Sequence, residues 1–353
     1  MNQNKLSALN KLGQKIWIDT ISREFLQSDY FHKLITNDGV CGITSNPAIF
    51  HKAISSDKSY QNDLMQLKNT NLSYEARYEA LVIPDIKLAC QMMLPMYNKS
   101  NKEDGYVSFE VSPHIANDSD KTISDAKRIW RNVNMPNLMI KIPATSSGVV
   151  ALEELIYSGM NVNVTLLFSV TSALHIAHAY IRGLTRRKNE GLSVDGITSV
   201  ASFFISRIDG AIDPKLPLHL QGKTAIALAK KAYFSYYVLF NSDEFIALKQ
   251  LGAKKQFLLW ASTGTKNKNY KDTLYVDELI GIDTINTLPE ATLEAFRERG
   301  SIDITFDFRP NAFESILTEV NEFVDIENMA QSLQTDGLVL FENAYDGLME
   351  LVK

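Results

Sequence analysis

The stretch "LMIKIPATSSG" sets one lysine, Lys141, inside an apolar run that ends at a proline and then breaks into small polar residues. An ammonium group in such a strand must pair with a carboxylate, give up its proton or face a solvated cavity, because desolvation penalises the charged form. Other apolar runs also end in residues that can do chemistry. Asp19 closes "WIDT", Asn46 stands in "GITSNPAIF", Glu110 in "VSFEVSP", Asn163 and Thr165 in "NVTLLFS", Ser202 and Arg207 in "SFFISRID", and Ser262 in "WASTGTKN". Each has an ordinary structural explanation: Asp19 as a helix N-cap, Asn46 before Pro47 as a turn, Thr165 as a β-former, Lys141 as a paired or edge-strand lysine. Those explanations do not require two carboxylates, a lysine, amides and hydroxyls to meet. If they meet, a desolvated lysine of lowered pKa can attack a carbonyl as the neutral amine and form a Schiff base. The iminium is an electron sink that lets a neighbouring C–C bond break, with Glu110 and Asp19 as the acid/base groups for the proton transfers.

Such a meeting needs a scaffold that brings strand ends together. Strand-like runs at 15–19, 40–45, 106–111, 138–143, 162–168, 198–205, 256–261 and 282–288 alternate with amphipathic segments such as 119–132, 148–158, 171–183 and 222–241. This is the rhythm of parallel strands joined by crossover helices. Eight such strands fit an α/β (β/α)8 TIM barrel, whose active site lies at the C-terminal strand ends where the polar residues fall. A barrel takes about 250 residues. The surplus of this 353-residue chain is assigned to a helix before Trp17, a helical insertion near 56–98 and C-terminal helices after Phe313, all within a single domain spanning 1–353.

Other function classes find little support. A net charge of −5 with one short basic run, Arg182 to Lys188, gives no broad basic footprint for nucleic acid. Cys41 and Cys90 cannot make a disulfide framework or a zinc motif, and the start "MNQNKLSALN" lacks a signal peptide, which together suit a cytoplasmic protein with reduced thiols. The apolar segment 162–181 is interrupted by Asn163, Thr165, His175 and His178, so no membrane span is expected. "QGKT" has Pro217 where a P-loop needs glycine, His175 and His178 lack the flanking glutamate of a zincin, and no dinucleotide fingerprint occurs. No metal site is expected.

The chain resembles the transaldolase family. The resemblance runs in order through "WIDTISR", "GVCGITSNPAIF", "VSFEVSP", "MIKIPAT", "NVNVTLLFS", "ASFFISRIDG", "LWASTGTKN" and "NTLPEATLEAF", about four-fifths of the chain. It implies a barrel that moves a dihydroxyacetone unit from sedoheptulose 7-phosphate to glyceraldehyde 3-phosphate in the non-oxidative pentose phosphate pathway, with no cofactor and no metal. Phosphorylated sugars are the implied partners; monomer and homodimer stay equally open. By this resemblance Lys141 is the Schiff-base lysine, Asp19 handles the C4 hydroxyl proton, and Glu110 with Thr165 holds a catalytic water. Asn46, Asn163 and Ser202 match positions that orient the dihydroxyacetone hydroxyls, Phe204 lines the site, and Arg207 with Ser262 binds phosphate. Many members carry a second phosphate-binding arginine after the seventh strand. Here "STGTKN" offers Lys266 as the nearest cation, slightly further on and without a bidentate fork.

Two other readings stay open at this point. A Schiff-base aldolase would release its three-carbon product rather than transfer it, and a sugar-phosphate-binding barrel would hold ligand without turnover. The apolar Phe204 and the lysine–carboxylate set argue for transfer.

Overall fold

In the computed structural model, which describes residues 4–306 and 310–353, eight parallel strands close into a barrel in chain order. They are β1 Gln14–Asp19, β2 Val40–Thr44, β3 Tyr106–Glu110, β4 Leu138–Pro143, β5 Val162–Leu167, β6 Ser199–Phe204, β7 Phe257–Ala261 and β8 Thr284–Leu288. With the helices outside them these form a (β/α)8 TIM barrel. The runs read from the sequence are these strands, with ends displaced by one or two residues. β4, β5 and β6 are buried at every position, because the lumen covers one face and helices the other. That is why they read as continuous apolar runs rather than as alternating ones.

The displaced ends have local causes. β8 was expected from 282, but Ile282 is exposed and Asp283 takes φ +61, so the chain turns before joining the sheet at Thr284. β1 begins one residue early because Gln14 is fully buried, donating from Nε2 to Leu279 O at 2.5 Å and to Thr284 Oγ1 at 3.0 Å. The helices expected from 148 and 171 start at Ser146 and Val170, since Thr145 and Ser169 cap them by accepting from Gly148 N and Ser172 N. Helix Val170–Asn189 runs on through the basic cluster, where Arg182 and Arg186 pair with Glu153, and Arg186 also with Glu154, on the neighbouring helix Ser146–Tyr157. No described helix is long and apolar enough to cross a membrane.

The residues in excess of a minimal barrel are helical. Lys5–Lys11 precedes β1; Pro47–Ser56, Gln61–Lys68 and Tyr74–Lys99 lie between β2 and β3; Pro310–Asn321 and Ile326–Val352 follow the last barrel helix, Glu290–Arg299. Helix Ile326–Val352 matters most for the site, because it crosses the C-terminal mouth. Its anchor is a backbone irregularity. Leu166 sits at φ +63 where the β5–β6 register shifts, which takes its carbonyl out of the ladder. Gln334 Nε2 reaches back from the helix and donates to Leu166 O at 3.2 Å and to Ala144 O at 2.9 Å.

Replacing Gln334 by Ala leaves two strand-end carbonyls without that donor and should destabilise the protein by roughly 1–3 kcal/mol. Urea unfolding checks this. A midpoint equal to that of the wild type would show that the helix is held by its apolar face alone.

Candidate active site

Parallel register brings the sequence-distant groups together. Glu110 at the end of β3 lies opposite Lys141 on β4, Lys141 opposite Asn163 on β5, and Pro143 opposite Thr165. Lys141 is 6% exposed at its side chain and Glu110 10%, and the two form an ion pair. Lys141 Nζ also donates to Ser45 O at 2.9 Å and lies 5.8 Å from the centroid of the Phe341 ring, supplied by the helix across the mouth. The lysine of "LMIKIP" is thus a lumen lysine with an ion partner, not an edge-strand lysine.

Asp19 ends β1 opposite Thr44 of β2. It does not cap the next helix; Ser22 does, accepting from Phe25 N. Thr44 Oγ1 lies 2.6 Å from Asp19 Oδ1 and 2.6 Å from Thr287 Oγ1, so a hydroxyl chain links β1, β2 and β8 at the mouth. Burial raises the pKa of Asp19; the Lys141 charge and the Thr44 hydrogen bond offset this only in part. Burial likewise raises Glu110, opposed by the charge and hydrogen bond of Lys141 and reinforced by the Asp19 carboxylate. Two carboxylates made more basic than usual by burial, one of them paired with the lysine, are placed to accept and return protons.

A cavity of about 380 Å³ opens at this end of the barrel. Asp19, Asn46, Lys141, Thr165, Ser202, Phe204, Arg207, Ser262 and Lys266 all line it. Glu110 and Asn163 do not. Glu110 instead lines a small neighbouring space with Ser45, Tyr78 and Tyr345, and Asn163 sits fully buried, accepting from Ser202 Oγ at 2.7 Å and donating to Ser108 Oγ at 3.1 Å. Asn46 caps helix Pro47–Ser56 through Oδ1, which accepts from Ile49 N at 3.0 Å and leaves the amide N–H group to donate to a ligand. Ser262 holds φ +55 just after β7 and shares a 3.1 Å hydroxyl contact with Ser206. Arg207 is half-buried with its guanidinium 5.4 Å from the Phe204 ring centroid; desolvation lowers its pKa, and no carboxylate pairs with it among the described residues. Lys266 is exposed at the rim.

Sequence reasoning missed Thr44, Thr287, Leu340 and Phe341, which also line the cavity. The threonines read as plain β-formers, and only barrel closure reveals their contact. Leu340 and Phe341 belong to a helix whose docking no local pattern encodes. Among the described residues no group of three or more His, Cys, Asp or Glu side chains converges as a metal site, and His175 and His178 are exposed on their helix.

The Asp19 shift carries a stability consequence. A carboxylate raised by folding stabilises the protein below its unfolded pKa, and that contribution is lost as pH rises through the folded value. Asp19→Asn removes this loss, so urea unfolding at pH 3, below the unfolded value, and at pH 8 should show the variant gaining on the wild type as pH rises. A constant difference across that range would mean that Asp19 folds without an ionisation cost.

A model of the family described as transaldolase/fructose-6-phosphate aldolase matches residues 16–352. The chain is 46% identical over 345 residues to a protein of Neisseria gonorrhoeae named transaldolase, covering 98% of both chains. It is 44% identical over 352 residues to a transaldolase of Thiobacillus denitrificans, covering 97% of each. It is also 44% identical over 365 residues to a "Transaldolase 2" of a Nostoc species, covering 98% of this chain and 96% of the other.

Proposed function

The chain belongs to the transaldolase/fructose-6-phosphate aldolase family of enzymes, and from that premise we propose that it transfers a dihydroxyacetone unit from sedoheptulose 7-phosphate to glyceraldehyde 3-phosphate through a Schiff base on Lys141. The observation that carries this reading is the Lys141–Glu110 pair beside a cavity that also holds Asp19. Glu110, made more basic by burial, takes the proton from Nζ, and the amine adds to the C2 carbonyl of the donor. Glu110 returns a proton to the carbinolamine hydroxyl, which leaves as water, and the C=N bond forms. Thr165, whose buried hydroxyl has no partner among the described residues, is suited to hold that water with Glu110. Asp19 then takes the C4 hydroxyl proton, the C3–C4 bond breaks, and its electrons pass into the iminium to give an enamine and erythrose 4-phosphate. The enamine adds to the acceptor aldehyde while Asp19 gives the proton back, and water releases fructose 6-phosphate.

The neutral lining suits this substrate. Asn46 and Ser202, with Asn163 behind Ser202, would orient the C1 and C3 hydroxyls, and apolar Phe204 withholds a proton that would quench the enamine. Arg207, Ser262 and Lys266 would receive the distal phosphate, with the half-buried guanidinium, which no carboxylate among the described residues pairs, as its main anchor. We place the reaction in the pentose phosphate pathway in the cytoplasm, carried out by the chain as one catalytic domain without cofactor or metal.

Borohydride added with fructose 6-phosphate should inactivate the enzyme and leave a reduced three-carbon adduct on the peptide that contains Lys141; an adduct on another lysine overturns the assignment. Glu110→Gln and Asp19→Asn should each lower kcat by roughly 10²–10⁴-fold. They should differ in the trapping assay, Glu110→Gln trapping slowly and Asp19→Asn trapping well but cleaving poorly. Equal trapping by wild type and Glu110→Gln would remove Glu110 from imine formation.

Fructose 1,6-bisphosphate should be a donor at least about 10²-fold poorer in kcat/KM, because a C1 phosphate would meet neutral groups where a hydroxyl belongs. Comparable cleavage of both sugars would favour an aldolase. Arg207→Ala should raise KM for phosphorylated sugars while Lys141 still traps dihydroxyacetone.

A further inference from the structure

Imine formation expels one water, and imine hydrolysis consumes one, at a lysine whose cavity is then filled by a phosphorylated sugar. The geometry around Lys141 separates these two needs. Lys141 itself borders the substrate cavity, whereas Glu110 and Ser45, which accept from its Nζ among the described residues, border a second space that shares only Asn46 with that cavity. This space is a chamber of about 10 Å³ closed by Phe50, Tyr78, Phe109 and Tyr345. It is just large enough for one water, which needs about 10–15 Å³ and polar partners such as the Glu110 carboxylate supplies.

The chamber is not sealed. Tyr78, Phe109, Glu110 and Tyr345 also border an outer cleft of about 650 Å³ that opens between helices Tyr74–Lys99 and Ser119–Val133. The junction is aromatic. Tyr78 and Tyr345 stand edge to face with centroids 6.0 Å apart, and Tyr78 packs against Phe50 and Phe109 at 6.0 and 6.4 Å. Ser112 lines the cleft beside Tyr345, whose hydroxyl burial pushes up to about 12, so it stays neutral. Its place is fixed from the same helix, where Asp346 bonds His114 at 2.7 Å and the His114 ring meets Tyr345 at 5.8 Å.

We propose that this side cleft and its one-water chamber form a passage for water and protons to the Lys141–Glu110 pair, separate from the sugar entrance, with Tyr345 and Ser112 as the residues that position it. The inference rests on the Schiff-base reading above. Dehydration of the carbinolamine breaks its C–O bond, the nitrogen lone pair forms C=N, and the hydroxyl with the Glu110 proton departs as water, held first between Thr165 and Glu110 at the lysine and then passed along the Glu110 side into the chamber. Hydrolysis runs the same path inward, with Glu110 taking a proton from the entering water as its oxygen bonds to C2. The sugar need not move for either step.

The test follows oxygen-18 placed at C2 of fructose 6-phosphate. Each reversible imine formation loses this label to solvent only if the expelled water escapes before recombining. Ser112→Phe, whose ring would fill the junction from the open cleft, should lower label loss relative to C3–C4 cleavage by about tenfold, and Tyr345→Ala, which widens it, should raise that ratio. Ser112→Leu gives the same reading with a smaller side chain should the phenyl group disturb folding. Borohydride trapping on Lys141 is measured alongside. Trapping intact with the exchange ratio unchanged in all three variants overturns the passage while leaving the Schiff base in place. Absence of any trapping in the wild type removes the reading on which the passage depends. An exchange ratio that falls in the plugged variants and rises in the widened one supports it.

Discussion

The buried Lys141–Glu110 ion pair is the constraint on which the rest of the arrangement depends. Two charges taken out of water lose several kcal/mol of hydration each, and they recover it only through one another and through added hydrogen bonds. Their meeting is a matter of register: β3 and β4 must align residue 110 with residue 141, and the closed barrel enforces that alignment from both sides. Once set, the pair imposes requirements on its neighbours. The Ser45 carbonyl must turn toward Nζ, and a cover must exclude bulk water from above. The cover is the Phe341 ring on helix Ile326–Val352, tied to the strand ends through Gln334.

The same low-polarity setting explains the carboxylates. Asp19 and Glu110 both lose hydration on burial, and both are raised by it. A barrel optimised for stability alone would fill these positions with branched aliphatic side chains, as it does elsewhere along β4 and β5. The lumen instead keeps Ser108, Asn163 and Ser202 in one hydrogen-bonded line below the lysine, and Thr44 with Thr287 in another beside Asp19. Each line satisfies groups that would otherwise be stranded away from water. The outer ring differs in kind: Arg207 and Lys266 add cations at the mouth of the same cavity, away from the Lys141–Glu110 pair.

Much of this was legible in the sequence because strand ends in a parallel barrel are marked by a change from continuous apolar runs to polar residues. "LMIKIP" and "VSFEVSP" disclosed Lys141 and Glu110 in that way, and the residues that line the cavity from β1, β4, β5 and β6 followed from the same rule. What stayed hidden depends on closure or docking. The Thr44–Thr287 contact joins residues 243 positions apart, and neither threonine departs from ordinary strand composition. Helix Ile326–Val352 could be recognised as a helix, but nothing in its periodicity tells which surface it crosses. Glu110 was expected at a strand end beside the lysine, and it pairs with Lys141 there, but the sequence did not show that it borders a small space with Tyr78 and Tyr345 rather than the larger cavity. Asn46 shows a partial reading: the turn at Pro47 is a helix start, which the Asn46 amide oxygen caps.

The most direct test of the account is the fate of three labelled carbons. Fructose 6-phosphate carrying carbon-13 at C1, C2 and C3 is incubated with erythrose 4-phosphate, and the products are followed by mass spectrometry for the wild type and for Lys141→Arg, whose guanidinium stays protonated and cannot form an imine. The account predicts sedoheptulose 7-phosphate bearing all three labelled carbons from the wild type, and no labelled heptulose from the variant. Label released as free dihydroxyacetone, or transfer that survives in Lys141→Arg, would contradict it.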